Sequence, residues 1–283
     1  SGINLTRSEL HRIDSVAAPL IAQGQSPYMI VANHPELGLS VKTLYNYINQ
    51  GILLSRNIDL KRQVKYKARK CHKTQIVNRE VFQGRTYSDF KVLGLSLGGF
   101  VEMDTVLSAR GSDKCIHTLY FPDIELLLAH RMDRSPGAVR LVFEHLQASL
   151  GDAYEFQSLF PCLLTDRGKE FGDPDGLETD PEGFQRTSIY YCDPMRSNQK
   201  GGIENVHTML RMILPKGTLF ESLTQWDLNR VVNHINSAPR KNLGDQTPYE
   251  LALKKYGPEV LGALQLKLIP PDEVILSPKL LKH

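Results

Sequence analysis

The sequence has few of the features that mark membrane, secreted or zinc-binding proteins. It has no run of about 18 apolar residues and no signal peptide, which predicts a soluble intracellular protein. Its four cysteines are scattered without a C-x-x-C pair, so neither a disulfide framework nor a zinc site is indicated. Internal repeats and low-complexity tracts are also lacking. What remains is a chain of 283 residues, 41% hydrophobic, long enough for one large core and a smaller module.

The net charge is only +3, and it is unevenly distributed. Residues 61–85 contain nine basic residues against one acid, a net of +8, so the rest of the chain sums to −5. A charge run is usually a solvated face, but basicity confined to one segment also fits a linker that follows DNA phosphates. We favour phosphate contact. The main candidates are Lys65, Lys67, Arg69 and Lys70.

The first 57 residues predict three short helices. Thr6 begins a capping box for the first, Ser26 followed by proline opens the second, and Ser40 caps the third. This is the outline of a helix-turn-helix module, whose outward side chains on the third helix reach base edges in a major groove. A plain three-helix packing module explains the same pattern. The candidates for base reading are Lys42, Asn46 and Gln50.

Residues 198–218 contain the most informative predicted helix. Four apolar residues recur at helical spacing and predict a buried stripe that stops before Pro215. A second face presents a carboxylate, an imidazole, a hydroxyl and a guanidinium. A solvated helix shows the same pattern, so a functional interpretation depends on what Glu204 faces. The stripe is Ile203, Val206, Leu210 and Ile213, and the polar face is Glu204, His207, Thr208 and Arg211.

Two upstream carboxylates are candidates to face Glu204. Asp104 lies near the middle of a predicted strand at 100–107, a position that disfavours aspartate. Asp166 follows a short apolar run, at the carboxyl end of a strand where active sites often lie. Three acids from two strands and a helix can hold two Mg²⁺ ions about 3.5–4 Å apart, because hard cations prefer oxygen ligands. The predicted chemistry is phosphoryl transfer on nucleic acid.

The remaining patterns outline one mixed domain. The acids between residues 172 and 183 are expected in an exposed, solvated loop. The tail at 270–283 is expected to lie extended on another surface or to be partly disordered. Further strands are predicted at 115–121, 125–131 and 187–192, and helices at 135–150, 222–237 and 247–256. Packing roles are predicted for Trp226, Leu228, Val232 and Ile235.

Five separated motifs lie in one order along nearly the whole chain. They are the Asp104 strand, residues 164–171, residues 191–194, residues 200–218, and residues 233–241 with 247–250. Together they closely resemble the DDE transposases of the insertion sequence 30 family. The resemblance implies an α/β (α+β) fold with an RNase H-like, retroviral integrase-like catalytic core behind an N-terminal helix-turn-helix module.

The resemblance also implies a catalytic triad of Asp104, Asp166 and Glu204, which would bind two Mg²⁺ ions with Mn²⁺ as a substitute. Asp166 lies 62 residues after Asp104, and Glu204 lies 38 after Asp166, which suits that fold. One departure is Arg167, where we expect the family to have asparagine, and it puts any role of position 167 in doubt. Phosphate positioning is assigned to His207 and Arg211, with Lys200 and Lys216 as weaker candidates.

The predicted organisation places the helix-turn-helix module at 1–57, a basic linker at 58–92, the catalytic core with its C-terminal helices at 93–257 and an extension at 258–283. The predicted protein is a cytoplasmic, nucleoid-associated transposase that acts as a homodimer or higher homo-oligomer on double-stranded DNA, both terminal inverted repeats and target, without a membrane. Two alternatives stay open. One is a DNA-binding regulator derived from a transposase, against which three intact acids argue. The other is an RNase H-like nuclease without strand transfer.

Overall fold

A computed structural model of the chain describes residues 5–60, 80–194 and 196–281. Lys65, Lys67, Arg69 and Lys70 lie outside these residues, so their contact with phosphates stays a prediction. No helix within the described ranges is long and apolar enough to cross a membrane. The α-helices there are α1 Arg7–Ala22, α2 Pro27–Asn33, α3 Val41–Asn49, α4 Tyr87–Val92, α5 Pro136–Leu150, α6 Ala153–Leu159, α7 Pro174–Glu178, α8 Gly201–Ile213, α9 Gln225–Asn236 and α10 Pro248–Ala263. The strands are β1 Val101–Leu107, β2 Lys114–Phe121, β3 Leu126–Asp133, β4 Leu163–Thr165 and β5 Ile189–Tyr191.

The first three helices begin where their capping residues predict. Thr6 forms a capping box with Glu9 at the start of α1, and the hydroxyls of Ser26 and Ser40 accept hydrogen bonds from backbone amides in the first turns of α2 and α3. The apolar faces of these helices meet in a small core of their own. Lys42 and Asn46 of α3 and Gln50, which directly follows it, are exposed, so they are accessible to a partner.

A five-stranded mixed sheet, in the order β3-β2-β1-β4-β5, forms the centre of the larger unit. Strands β1, β2 and β3 pair antiparallel, whereas β4 is parallel to β1 and β5 is parallel to β4. This order and these directions are those of an RNase H-like core, so the predicted fold is confirmed. Asp104 lies in β1 and Asp166 directly follows β4, so the two aspartates singled out from the sequence lie at the central pair of strands.

Helix α8 buries the predicted stripe, including Ile203 and Leu210, in the main core. The packing predicted for Leu228, Val232 and Ile235 of α9 is likewise confirmed. The packing prediction was wrong for Trp226, which is 63% exposed with its ring against the Arg230 guanidinium. Leu228 lies two positions after Trp226, and that spacing turns a helical side chain to roughly the opposite face.

Two acids in the segment at 172–183 are not solvated, so that prediction was wrong for them. Asp180 is buried and accepts hydrogen bonds from one side-chain amide and two backbone amides. Glu178 pairs with Arg85 at 2.7 Å. Composition rich in Asp, Glu, Gly and Pro indicates a loop, but it does not show which carboxylates meet buried donors.

Residues 270–281, which we call the C-terminal strap, connect the N-terminal helices to the sheet domain. The side-chain amide of Gln25 donates to the Pro271 carbonyl at 2.8 Å. On the other side, Arg230 of α9 donates to the Leu280 carbonyl at 3.2 Å. The strap therefore lies on the surface of the other elements, the first of the two predicted behaviours. Its buried side chains include Val274, Leu276 and Leu280.

We expect the C-terminal strap to weaken in acid, because a neutral histidine holds it. Nδ1 of His234 accepts a hydrogen bond from the Ile275 backbone amide at 3.0 Å, which requires an unprotonated nitrogen. Burial lowers the pKa of His234 to about 4 from its ordinary value of 6.5. The unfolded chain therefore takes up a proton that the folded chain does not. The resulting stability is fully present above about pH 6.5 and is lost as the pH falls towards about 4.

Urea unfolding at about pH 7 and about pH 4.5 tests this expectation. In His234→Gln the amide oxygen can accept the same hydrogen bond but does not titrate. Between the two pH values, the free energy of unfolding of His234→Gln should fall by about 1–2 kcal/mol less than that of the wild type. Equal losses would show that His234 does not contribute to the acid sensitivity.

Candidate active site

Asp104 and Asp166 lie side by side at the carboxyl end of the β1–β4 pair. The parallel register pairs Met103 with Thr165, and the next residue in each segment is an aspartate. The Asp104 side chain is 21% exposed and that of Asp166 is 54% exposed, so both can be reached from solvent. The structure thus brings together two residues that are 62 positions apart in the sequence.

The ammonium group of Lys200 lies between these two aspartates. Its Nζ is 3.4 Å from Oδ2 of Asp104 and 4.0 Å from Oδ2 of Asp166. It also donates a hydrogen bond to the Met103 carbonyl at 3.2 Å. Lys200 is only 6% exposed, so its charge faces three protein oxygens. We predicted a phosphate contact for this lysine, and the structure gives it carboxylate partners instead.

The surroundings of Asp166 favour a nearby positive charge. Partial desolvation of the half-exposed Asp166 carboxyl and the neighbouring Asp104 raise its pKa, whereas Lys200 acts in the opposite direction. The loop after β4 is tight, because a Cβ at Gly168 would lie 3.0 Å from Oδ1 of Asp166. In the same loop the buried Glu170 accepts a hydrogen bond from the Thr105 hydroxyl at 2.6 Å. Glu170 therefore anchors the loop that begins at Asp166 to the strand of Asp104.

Glu204, the third predicted acid, lies in the first turn of α8, and it is exposed. Within the described parts of the chain, no group of three His, Cys, Asp or Glu side chains is placed to hold a metal ion. The two aspartates therefore lie together, whereas Glu204 is not close enough to form a three-ligand group with them in this arrangement. Two carboxylates and the Met103 carbonyl around one cation are nonetheless the oxygen donors that a hard divalent metal ion requires. These residues fit such an ion in ligand type.

Glu102 positions the start of α8, a role that the sequence analysis missed. Its buried carboxylate accepts a hydrogen bond from the Ile203 backbone amide at 2.7 Å, where the first amides of a helix need acceptors. Burial raises the pKa of Glu102, and the helix amides and Lys200 oppose that shift. The sequence did contain a signal, because Glu102 and Asp104 are two residues apart in a strand and so share a face.

The start of α8 also approaches the sheet closely. A Cβ at Gly202 would lie 2.4 Å from the ring of Tyr120 and 3.2 Å from Oε2 of Glu102. At Gly201 a Cβ would meet nothing within 4 Å. Gly202 therefore sets how near the helix that bears Glu204 can come to β1 and β2.

The imidazole of His207 packs towards β2. Its Nε2 lies 2.8 Å from the Thr118 hydroxyl, which donates to the Asp104 backbone carbonyl at 3.1 Å. Because the Thr118 hydroxyl donates its proton to the Asp104 carbonyl, its oxygen accepts a hydrogen bond from Nε2–H of His207. Burial lowers the pKa of His207 to about 4, which leaves the ring neutral at neutral pH. His207 therefore supports the backbone at Asp104, and it has no charge to offer a phosphate.

Arg211 is held by backbone carbonyls rather than by an acid. Its Nη2 donates to the Leu107 carbonyl at 2.6 Å and its Nη1 to the Leu214 carbonyl at 3.4 Å. The guanidinium also lies over the Phe220 ring, 5.8 Å from its centre. Arg211 thus ties α8 to the end of the strand that carries Asp104. Lys216, the other basic candidate here, is exposed after the end of α8.

We expect Arg211→Ala to lower the free energy of unfolding by about 1–2 kcal/mol, because the Leu107 carbonyl loses a charged donor. Thr208→Ala is the matched control, since Thr208 is exposed on the same helix and should change the value by less than about 0.5 kcal/mol. Urea unfolding gives both values. Wild-type stability of Arg211→Ala would mean that the guanidinium is free to bind another partner, such as a phosphate.

Arg167 has a packing role in this structure. Its guanidinium lies over the Phe82 ring at 4.6 Å from the centre. Its Nε is buried and has no hydrogen-bond partner among the residues that the structure describes. A cation–π contact of this kind explains why a bulky base can occupy the position next to Asp166.

Comparisons with known proteins show which proteins the chain resembles, although no model of a known family matches the sequence. The chain is 28% identical over 214 residues to "Probable transposase for insertion-like sequence element IS1161" of Streptococcus salivarius, covering 75% of this chain and 58% of that protein. It is 38% identical over 63 residues to "Transposase InsI for insertion sequence element IS30A" of Escherichia coli (strain K12), covering 22% of this chain and 16% of that protein. The chain therefore spans less than two thirds of the length of these relatives.

A solved structure provides a weaker likeness. A chain of the simian T-cell lymphotropic virus intasome in complex with PP2A regulatory subunit B56 gamma superposes with a TM-score of 0.39 and 13% identity, over 80% of this chain and 74% of that one. At that TM-score the likeness does not define a fold. The fold rests instead on the strand order and directions of the sheet.

Proposed function

We propose that the chain, as a member of the transposase family of insertion sequence 30, is a DDE transposase. In this proposal it binds the terminal inverted repeats of an insertion sequence, cuts DNA strands at their ends and joins them to target DNA. The observation that carries this proposal is the adjacent pair Asp104 and Asp166, which lie where β4 ends beside the middle of the parallel strand β1 in an RNase H-like sheet. Carboxylates at that edge can bind metal ions and still leave room for a phosphodiester.

In the proposed mechanism Asp104, Asp166 and Glu204 would hold two divalent ions, Mg²⁺ or in its place Mn²⁺. Ions held there would supply Lewis-acid activation of a water or 3′-hydroxyl and stabilisation of the leaving oxygen. The other residues position these ligands. Glu102 fixes the first turn of α8, which bears Glu204, and the chain from His207 through Thr118 fixes the backbone of Asp104.

DNA contacts in the proposal extend beyond the acids. The exposed face of α3 would read bases through Lys42, Asn46 and Gln50. Phosphates would be bound by Lys216, which is exposed beyond α8, and by the basic residues of the linker. Arg211 and His207 belong to this phosphate-binding set only if DNA displaces their present partners. The active form would be a homodimer or higher homo-oligomer on duplex DNA, at the nucleoid in the cytoplasm.

The proposal is tested by incubating the chain with a labelled duplex that carries the ends of its insertion sequence, with a second duplex as target and Mg²⁺ present. Cleaved and joined products are scored separately. We expect both, and we expect a chelator to abolish both. Cleavage without joining would indicate a nuclease, whereas binding without cleavage would indicate a regulator.

A further inference from the structure

We propose that Lys200 is a tethered cation that competes with a divalent metal ion for Asp104 and Asp166, and that it holds these carboxylates together until the metal ion replaces it. This inference rests on the proposed function, because it concerns the same acids. It gives Lys200 a role in metal binding rather than in DNA binding.

The first argument is the geometry around Nζ. An ammonium group has three N–H donors, and three oxygens lie 3.2–4.0 Å from this one: the Met103 carbonyl and one Oδ2 from each aspartate. A metal ion bridging the two carboxylates would have to lie between them, within about 2.0–2.6 Å of their oxygens. That space is where Nζ lies. The ammonium and a bridging ion therefore exclude each other.

The second argument is the balance of charge. Four acids lie in this region, and one of them, Glu170, is paired with Arg134 at 3.3 Å. The other three are Glu102, Asp104 and Asp166. The charge of Lys200 opposes the rise in the pKa values of Glu102 and Asp166. Neighbouring carboxylates repel each other, and a buried cation offsets that repulsion. Lys200 thereby keeps the two ligands close without occupying the site irreversibly.

The third argument is the place of Lys200 in the chain. It ends the short 3₁₀ turn Ser197–Lys200 and directly precedes α8. Its four-carbon stem can move the ammonium group through side-chain rotation alone. Lys200 is buried against β1, whereas Glu204, in the first turn of α8, is exposed.

Amine labelling of the wild-type chain tests the exchange directly, without DNA. An acylating reagent is applied with and without saturating Mn²⁺, and modification at each lysine is quantified by mass spectrometry. Without metal, Lys200 should react about tenfold more slowly than the exposed Lys216, because it is buried and paired. With Mn²⁺ the rate at Lys200 should rise about fivefold or more, as expected for a displaced group, while that at Lys216 stays constant. In Asp104→Asn the Mn²⁺ effect at Lys200 should disappear.

Calorimetric titration with Mn²⁺ gives a second, independent test. Lys200→Met keeps the length of the side chain but removes the competing charge, so its Kd should be about tenfold lower than that of the wild type. Lys216→Met makes the same change of net charge at an exposed position and should stay within about twofold. The difference between the two variants should persist from about 0.1 M to about 0.5 M salt, since Lys200 is buried and the contacts of a buried charge are weakly screened.

Two results would overturn the inference: constant labelling of Lys200 at saturating Mn²⁺, or unchanged or weaker Mn²⁺ binding by Lys200→Met. Neither involves DNA, so the inference can fail while cleavage of terminal duplexes still supports the proposed function. Conversely, metal-dependent release of Lys200 in a chain that never cuts DNA would support the inference and count against the transposase. If neither the wild type nor Lys200→Met binds Mn²⁺, both proposals fail.

Discussion

Asp104→Asn and Asp166→Asn are each expected to abolish strand cleavage while leaving duplex binding intact. Asparagine has nearly the volume of aspartate, but it lacks the negative charge that binds a divalent ion. Metal ions in such sites contribute several kcal/mol to the stabilisation of the transition state. Because each 1.4 kcal/mol is a factor of ten in rate, we expect a loss of about a thousandfold or more.

Asp152→Asn is the matched control for these variants. Asp152 is exposed and caps α6, and asparagine caps a helix as well as aspartate does. Cleavage of a labelled terminal duplex and fluorescence anisotropy of the same duplex should be measured for each variant. If Asp104→Asn cleaves within about tenfold of the wild-type rate, Asp104 is not a catalytic metal ligand.

Gly202→Ala is expected to slow cleavage by about a hundredfold, the effect of moving a catalytic group by about 1 Å. The added Cβ would lie 2.4 Å from the ring of Tyr120, which is buried and cannot easily retreat. The start of α8 must therefore shift, and Glu204 shifts with it. The loss should appear in the cleavage rate rather than in DNA binding.

Gly201→Ala is a close control, because it makes the same substitution one residue earlier, where a Cβ meets nothing within 4 Å. Both positions are helical, and alanine favours a helix over glycine by about 1 kcal/mol. Gly201→Ala should therefore keep wild-type cleavage within about twofold, with equal or higher stability. Equal rates for the two variants would show that the spacing between α8 and the sheet does not control catalysis.

The elements that sequence predicts well in this chain are those with local signals. The apolar stripe of α8 follows the period of a helix, and the caps at Thr6, Ser26 and Ser40 mark where helices start. Alternation in β1 and the short apolar run before Asp166 locate the two central strands. The adjacency of Asp104 and Asp166 then follows from pairing two parallel strands. Helices of five to seven residues, such as α4, α6 and α7, were missed because they are too short to show a period.

The details of the site depend on contacts between distant residues, which no local pattern encodes. The hydrogen bond from Lys200 to Met103 spans 97 residues, and that from Ile203 to Glu102 spans 101. A basic residue before a helix looks alike in sequence whether it faces a phosphate or a carboxylate. The partner of Lys200 depends on how closely α8 approaches the sheet. In the sequence, only Gly202 indicates that this approach is close.

The C-terminal strap has a consequence for the order in which the protein is made. Pro271 of the strap lies 246 residues after Gln25, its hydrogen-bond partner. A ribosome adds about 5–20 residues per second, so Gln25 exists for roughly 12–50 seconds before its partner does. The N-terminal helices have their own core and can fold in that interval. Any DNA that they meet near the ribosome is met before the strap joins them to the sheet domain.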